Sequence, residues 1–506
     1  MATIPTQRSK LRFEAFEVAA GVFALLAVLV GVNAGGWRTR LFGNAAASPI
    51  TSLAVLPLVN LSQDAAQEYF ANGMTEALIA NLAQVKALRV ISRTSVMHYK
   101  NTNLTLPEIA GELNVDAVIE GAVQRSGSRV QVTVKLIRVQ SDAPVWAKVY
   151  ERNTSDLLAM QSDLTQAIVG EIKVHLTPEE RQHIAVTRPV NSKAYDAYLL
   201  GNYHANLRNP AAMEKAIEYF HRAIWIDPNY AQAYAGLANV YIERGVWAGV
   251  GIGREADLVR TNTLKALELD GDLAEAHELL GSIHFQYDWD WERAEAEFKR
   301  AIALNPNLPG AYARYAFYLQ TMGRQEEALA AVHHAVELDP LSASYICDEG
   351  RILYRARQYQ KAIAQYQRAL ELDPGYAPVP WRMSDAYEQV GEYDQALAWA
   401  DRYQQASGDP RLSLRLQARI LGRTGKRREA EEKLRTIEKR SKPGGDEQFL
   451  AATYCVLGHP DQAIAQLEKG AQTHSILPFA FVDPQFDSLR SDPRFQQLLR
   501  RVHILF

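Results

Sequence analysis

Four segments of this chain end in proline in near-identical settings: AIWIDPNY at Pro228, AIALNPNL at Pro306, AVELDPLS at Pro340 and ALELDPGY at Pro374. Pro306, Pro340 and Pro374 recur at intervals of 34 residues. That length holds two helices and their turns, and a proline stops the second helix because it brings no amide donor. The residues upstream repeat as well: Ala216, Phe220 and Ala223 before Pro228, Ala294, Phe298 and Ala301 before Pro306, and Ala362, Tyr366 and Ala369 before Pro374. Alanines at these offsets let neighbouring helices touch, and the aromatic ring fills the space between them. Leu280-Gly281 and Glu349-Gly350 fall where the first helix of a unit meets the second, and a small residue there admits close approach. No such unit can bury its apolar face alone, so the units must stack into an all-α solenoid.

The period and offsets resemble the tetratricopeptide repeat. Residues 190–475 are assigned to the solenoid. Its later units are degenerate: Gly408 stands in place of proline, and helix pairs around 414–440 and 449–470 keep Ala430 and Ala463 as markers. The tail VDPQFDSLRSDPRFQQLLRRV, within 476–506, is similar to the closing segment of such repeat proteins and reads as a capping helix over the last apolar edge. The resemblance implies a superhelix whose concave groove is lined by the first helix of each unit. Carried onto this chain, the groove-facing offsets are Asn239, Phe285, Phe317, Gln320, Arg351, Tyr354, Trp381, Asp385, Arg415 and Arg419. Arginine and aromatic side chains dominate interface energetics, so Arg351, Tyr354 and Trp381 are the first candidates for partner contact. The competing reading is that these side chains brace adjacent repeats.

Residues 49–187 follow another pattern. Residues 53–58 read as a buried strand, 67–85 as a helix, and 88–92 as a second strand. Residues 106–113 form a short helix. The segments 117–124 and 130–139 alternate apolar and polar residues around Ser126-Gly127-Ser128, a hairpin signal. A further strand at 145–150 leads to a helix from 154 to about 176. Mixed order of this kind makes an α+β layer. The stretch SLAVLPLVNLSQDAAQEYFANGMTEALIANLAQVKALRVISRTSVMHYK, followed by ELNVDAVIEGAVQRSGSRVQVTVKLIRV, resembles the TolB-amino-terminal-like domain. In that family the domain sits between a membrane helix and tetratricopeptide repeats, in CadC-type regulators and repeat-bearing adenylate cyclases or kinases. The resemblance implies an extracytoplasmic interaction or sensing domain. Fewer than 20 residues precede the apolar run described next, leaving no room there for those regulators' winged-helix, cyclase or kinase domain.

Residues 18–36 are apolar or small apart from Asn33, close to the length that spans a bilayer as a helix. They are expected to form a transmembrane segment between a basic tail (1–17) and a linker (37–48). Arg8, Lys10 and Arg12 precede the run and Arg38 and Arg40 follow it, which favours a cytoplasmic amino terminus and an extracytoplasmic, periplasmic bulk. The alternative is a cleaved signal peptide with its site near Ala34, giving a secreted or periplasmic protein. The fold class expected is thus an α+β sheet domain, then an all-α solenoid, behind one amino-terminal transmembrane helix.

Charge and chemistry narrow the function. The 506 residues carry 55 basic and 58 acidic side chains, so no nucleic-acid partner is expected. Cys347 and Cys455 are too few for a disulfide framework or a cysteine metal site. His277 and His284 are seven apart and His333-His334 adjacent, neither the i, i+4 spacing of a helical zinc site. Gly249, Gly251 and Gly253 follow a repeat helix rather than a strand and read as an insertion between helices, not a phosphate cradle. Trp289 and Trp291 read as packing at a turn. No cofactor, metal, catalytic residue or small-molecule substrate is assigned. The expected role is a scaffold that binds other proteins through the groove, with the α+β domain as a further surface and the membrane as its support. The alternative is a sensory or regulatory component whose output domain is on another chain.

Overall fold

In the computed structural model the described residues run from 49 to 504, apart from 63, 140–142, 175, 186–190, 208, 248–254, 408–409 and 441–445. The apolar run 18–36 and Gly249, Gly251 and Gly253 lie outside them. Among the described residues no helix is long and apolar enough to cross a membrane.

The first elements are β1 (Ser52–Val55), β2 (Val59–Asn60), α1 (Glu68–Ala83), β3 (Arg89–Val90), α2 (Arg93–Met97), α3 (Leu106–Leu113), β4 (Ala117–Ser126), β5 (Arg129–Arg138), β6 (Ala143–Asn153), α4 (Leu157–Ile172) and α5 (Pro178–Ala185). The sheet runs β3-β1-β4-β5-β6, with β2 also on β4. β1 is parallel to both β3 and β4, and β4, β5 and β6 are antiparallel. Leu53, Ala54 and Val55 stand opposite Ala117, Val118 and Ile119, all buried. Gly127, at φ 58°, turns the β4–β5 hairpin, a conformation that costs glycine least.

Three local expectations are revised. The strand expected over 53–58 is broken, because Pro57 cannot donate to the ladder and the amide of Leu58 instead reaches Thr75 Oγ1 at 3.0 Å. The strand expected over 88–92 is shortened to two residues because the chain turns at once into α2. The helix expected to about 176 ends at Ile172, where Lys173 takes a left-handed φ of 60°.

Eight helix pairs follow among the described residues: α6 (Ser192–Ala205) and α7 (Pro210–Ile226), α8 (Ala231–Trp247) and α9 (Ala256–Leu269), α10 (Ala274–Ile283) and α11 (Trp291–Leu304), α12 (Pro309–Thr321) and α13 (Gln325–Leu338), α14 (Ala343–Arg355) and α15 (Tyr359–Leu372), α16 (Pro378–Gln389) and α17 (Tyr393–Ser407), α18 (Pro410–Arg423) and α19 (Arg427–Arg440), and α20 (Glu447–Val456) and α21 (Pro460–Gln472). Helices α7, α11, α13 and α15 each end two residues before the proline of the repeat signature. The alanine and aromatic markers are buried: Phe220 lies between alanines 216 and 223, and Phe298 between 294 and 301. A side chain on Gly281 would begin 2.9 Å from the Phe298 ring, so this contact needs glycine.

The sheet region and the repeats share one core, in which β1, α1 and α4 pack with Tyr195 and Leu199 of α6 and with Ala223 and Tyr230. Polar contacts extend the seam. Asn307, between α11 and α12, donates to the carbonyls of Ala83 and Leu88 and accepts from the amide of Val90. After α21 the chain forms two 3₁₀ turns, Pro478–Val482 and Pro484–Leu489, and α22 (Pro493–Arg501), whose Phe495, Leu498 and Leu499 join the core of the last repeat.

Candidate functional site

The first helices of successive repeats, α8 to α20, line a continuous cavity of about 2070 Å³ that also meets α1 and α6. Glu76, Glu243, Glu275 and Glu278, with Arg314 among them, line the part beside α1, α8, α10 and α12, and Arg351, Arg355, Arg382, Arg411 and Arg415, with Asp348 and Asp446 among them, line the part beside α14, α16 and α18. Burial raises the carboxyls of Glu76, Glu275 and Glu278 above their ordinary range, partly opposed for Glu76 by Arg93 and for Glu278 by Arg314.

Asn239 is exposed on α8, and its Oδ1 meets Arg314 Nη2 at 3.5 Å. Phe285 is buried, edge-on to Trp291 and Tyr318 at 6.1 and 5.8 Å, inside the repeat rather than on the groove wall. Gln320 is also buried and donates to the carbonyl of Ile352 at 2.8 Å, tying two repeats together. Tyr354 is 5% exposed, with its hydroxyl unpartnered in the interior.

The other positions meet the chain's own carboxy-terminal segment or one another. The Phe479 ring lies 5.5 Å from that of Phe317, tilted by 42°, and the guanidinium of Arg351 lies over both rings at 4.3 and 5.3 Å. Arg351 is held by Asp348 at 2.8 Å. Arg419, Asp385 and Glu388 form a buried ionic cluster closed by Gln485, which donates to Asp385 at 3.2 Å and accepts from Arg419 at 3.3 Å. Burial pushes the Asp385 carboxyl up to about 6, against the pull of Arg419. Arg415 pairs with Asp446 and lies 4.4 Å over the Phe449 ring, which Trp381 meets at 5.8 Å. Asn239, Phe317, Arg351, Trp381 and Arg415 therefore line the cavity, while Phe285, Gln320, Tyr354, Asp385 and Arg419 do not.

The sequence reading missed Arg355, Arg382, Glu275 and Glu278, together with the path of residues 477–487 along the inner face. A signal existed for that path: Pro478, Pro484 and Pro493 are too closely spaced for one continuous capping helix. Trp289 and Trp291 are packed by the carboxy-terminal residues, with Trp289 5.8 Å from Phe481 and Trp291 Nε1 donating to the carbonyl of Val502. His277 and His284 pair with Glu297 and Asp288.

Two tetratricopeptide-repeat models match residues 318–377 and 353–420, and a model of the HilA/YgeH-like transcriptional regulator second domain matches 49–169. A Rhizobium meliloti (strain 1021) protein named as an adenylate cyclase is 34% identical over 187 residues, covering 37% of this chain and 32% of that protein. The transcriptional regulator HilA of Salmonella typhimurium is 24% identical over 241 residues, covering 47% of this chain and 42% of HilA. The chain thus spans less than half the length of these relatives. Among solved structures, Pseudomonas aeruginosa pilF is similar over 42% of this chain and 91% of its own, at 23% identity and a TM-score of 0.33. Helix pairs, buried markers and model matches lead to the same conclusion: this chain carries tetratricopeptide repeats behind a small sheet-containing region.

Proposed function

We propose that the chain is a protein-binding scaffold whose working surface is the inner groove of the repeats. The observation that carries this reading is the continuous cavity lined by successive first helices, with aromatic and arginine side chains of the types that anchor interfaces. The share of its wall supplied by α1 and α6 makes the sheet region part of the same receptor. The apolar run 18–36 would tether this receptor to a membrane, an element that rests on the sequence alone. A crosslinked pull-down with a carboxy-terminally tagged full chain tests the reading. Asn239→Trp, which fills the groove from an exposed position, should lose a partner that the parent and Trp225→Ser retain. A partner list unchanged by Asn239→Trp would remove the groove from the account.

The second reading is a regulatory or sensory component whose output domain is on another chain. It is favoured by the match of 49–169 to the second domain of a HilA/YgeH-like transcriptional regulator. It requires the captured partner to carry a DNA-binding, cyclase or kinase domain.

A further inference from the structure

The sheet has two unlike edges. β3, two residues long, lies against the repeats: the amide of Val90 donates to Asn307 Oδ1, and the amide of Ser92 just past the strand donates to the carbonyl of Leu338. β6 is the other edge, four strand spacings or about 19 Å away, and among the described residues it pairs with β5 alone. Pro144 and a shift of register opposite Leu136 and Ile137 interrupt its start, but the ladder from Trp146 to Asn153 is regular. The amide of Thr154 donates to the carbonyl of Ser128, which sets the phase of that ladder. Even-numbered residues of β6 turn amide and carbonyl toward β5, and Ala147, Val149, Glu151 and Asn153 turn theirs outward. Such an open row of donors and acceptors is a template for another strand.

The side chains select which strand. On the solvent-facing side of the sheet an uncharged row, Val59, Ala122, Thr133 and Val149, crosses four strands and reaches the edge, with Val59 57% and Val149 52% exposed. The rows beside it are polar: Lys135 pairs with Glu120 at 3.0 Å, and Gln131 stands between Gln124 and Glu151. If β6 pairs antiparallel with its own copy about a two-fold axis, each residue faces its mirror image about the central one. A centre at Lys148, Glu151 or Arg152 opposes like charges, and a centre at Tyr150 sets Lys148 against Arg152. A centre at Trp146 or Ala147 draws Pro144 and the register shift into the new ladder. Val149 remains. Centred there, Val149 meets Val149, Ala147 meets Glu151, and Trp146 meets Arg152. Lys148 then meets a second Tyr150 ring, like the one it already covers within its own copy at 4.9 Å. No like charges are opposed, and the uncharged row runs through the axis into the second copy.

We propose that β6 pairs antiparallel with β6 of a second copy of this chain, with Val149 on the two-fold axis, so that two sheets join into one. Ala147, Val149 and Glu151 of both copies supply about six main-chain hydrogen bonds. The pairing goes beyond the groove and does not depend on it.

The test is disulfide trapping with the purified full chain in mild detergent. Opposed residues that exchange hydrogen bonds have Cα atoms about 5.5 Å apart, within the span of a disulfide. Val149→Cys, oxidised with copper phenanthroline, should give a covalent dimer on a non-reducing gel. Its yield should be at least about tenfold that of Gln131→Cys, one strand further in, and of the parent, whose Cys347 and Cys455 report the background. Val149→Lys puts like charges on the axis, and Val149→Pro removes an amide that β5 does not use. Each should lower co-purification of two differently tagged copies about tenfold, with far-ultraviolet circular dichroism unchanged. A dimer yield from Val149→Cys no higher than from Gln131→Cys or the parent, or co-purification indifferent to both Val149→Lys and Val149→Pro, overturns the proposal. A crosslink from Val149→Cys to a different protein also overturns it, and makes the edge a strand-addition site for that protein. Neither outcome moves the response of the pull-down to Asn239→Trp, so the scaffold reading is judged separately.

Discussion

Ser95 and Asp339, 244 residues apart, are joined in the interior: Asp339 Oδ1 accepts from the amide of Ser95 at 2.9 Å and from its hydroxyl at 2.5 Å. The Ser95 hydroxyl in turn accepts from the amide of Leu341 at 2.9 Å. This linkage fixes α2 of the sheet region against the turn after α13. Asp339→Ala leaves those donors buried without their charged acceptor, so the free energy of unfolding should fall by about 2–4 kcal/mol. Urea unfolding followed by circular dichroism measures it. A change within about 0.5 kcal/mol, typical of surface substitutions, would mean the seam is not load-sharing.

Two glycines in helices should respond oppositely. A methyl on Gly281 would stand 2.9 Å from the Phe298 ring, which is itself fully buried, whereas one on Gly111 would meet nothing within 4 Å. Gly281→Ala should cost about 1–3 kcal/mol through overpacking. Gly111→Ala should stabilise by about 0.5–1 kcal/mol through helix propensity. Thermal unfolding of the two variants side by side checks both signs.

Phe479→Ala should cost about 3–5 kcal/mol, the range for truncating a buried aromatic. It removes the ring beneath Arg351 and Arg355 and the tilted ring contact with Phe317. Loss of a small fraction of that value would show residues 477–487 to be a loosely held strap on the inner face. Denaturant unfolding measures the cost.

The Asp385 carboxyl gives a pH dependence with a definite sign. Its value in the folded chain, about 6, lies above the ordinary 3.8, so the folded state holds its proton more tightly than the unfolded state. The stabilisation from that proton is complete below about pH 4 and disappears as pH rises through about 6. Asp385→Asn keeps the neutral form at every pH. Between pH 5 and 7 the parent should therefore lose stability relative to Asp385→Asn, by about 1.3 kcal/mol. Melting temperatures of both proteins across that range measure it, and parallel curves would place the Asp385 carboxyl in its ordinary range.

The repeats were legible because their signals are local. Alanine and aromatic offsets set which helix faces touch, and a proline two residues past α7, α11, α13 and α15 marks their ends. Strands were legible where the alternation is long, as in β4 and β5, and misread where one residue changes the ladder, as at Pro57. The candidate site was only partly legible. Repeat offsets place Phe317, Arg351 and Trp381 on the inner face, but they carry no information about Phe479, which reaches Phe317 from the far end of the chain. The pairing of Arg419 with Asp385 spans 34 residues, one repeat length, so opposite charges at that interval were an available clue. Arg355 had no such clue: its neighbours Asp483 and Phe479 come from the far end of the chain.

The most direct test is site-specific photocrosslinking in cells producing the full chain, with benzoylphenylalanine placed at Asn239 on the groove or at Trp225 on α7. Trp225 is 83% exposed and lies outside the cavity lining, so it samples a rival apolar surface. A groove-binding scaffold should give a discrete crosslinked partner from position 239 and none from 225, with the crosslinked peptide identified by mass spectrometry. The same partner from 225 alone, or equally from both positions, would contradict a groove-centred function.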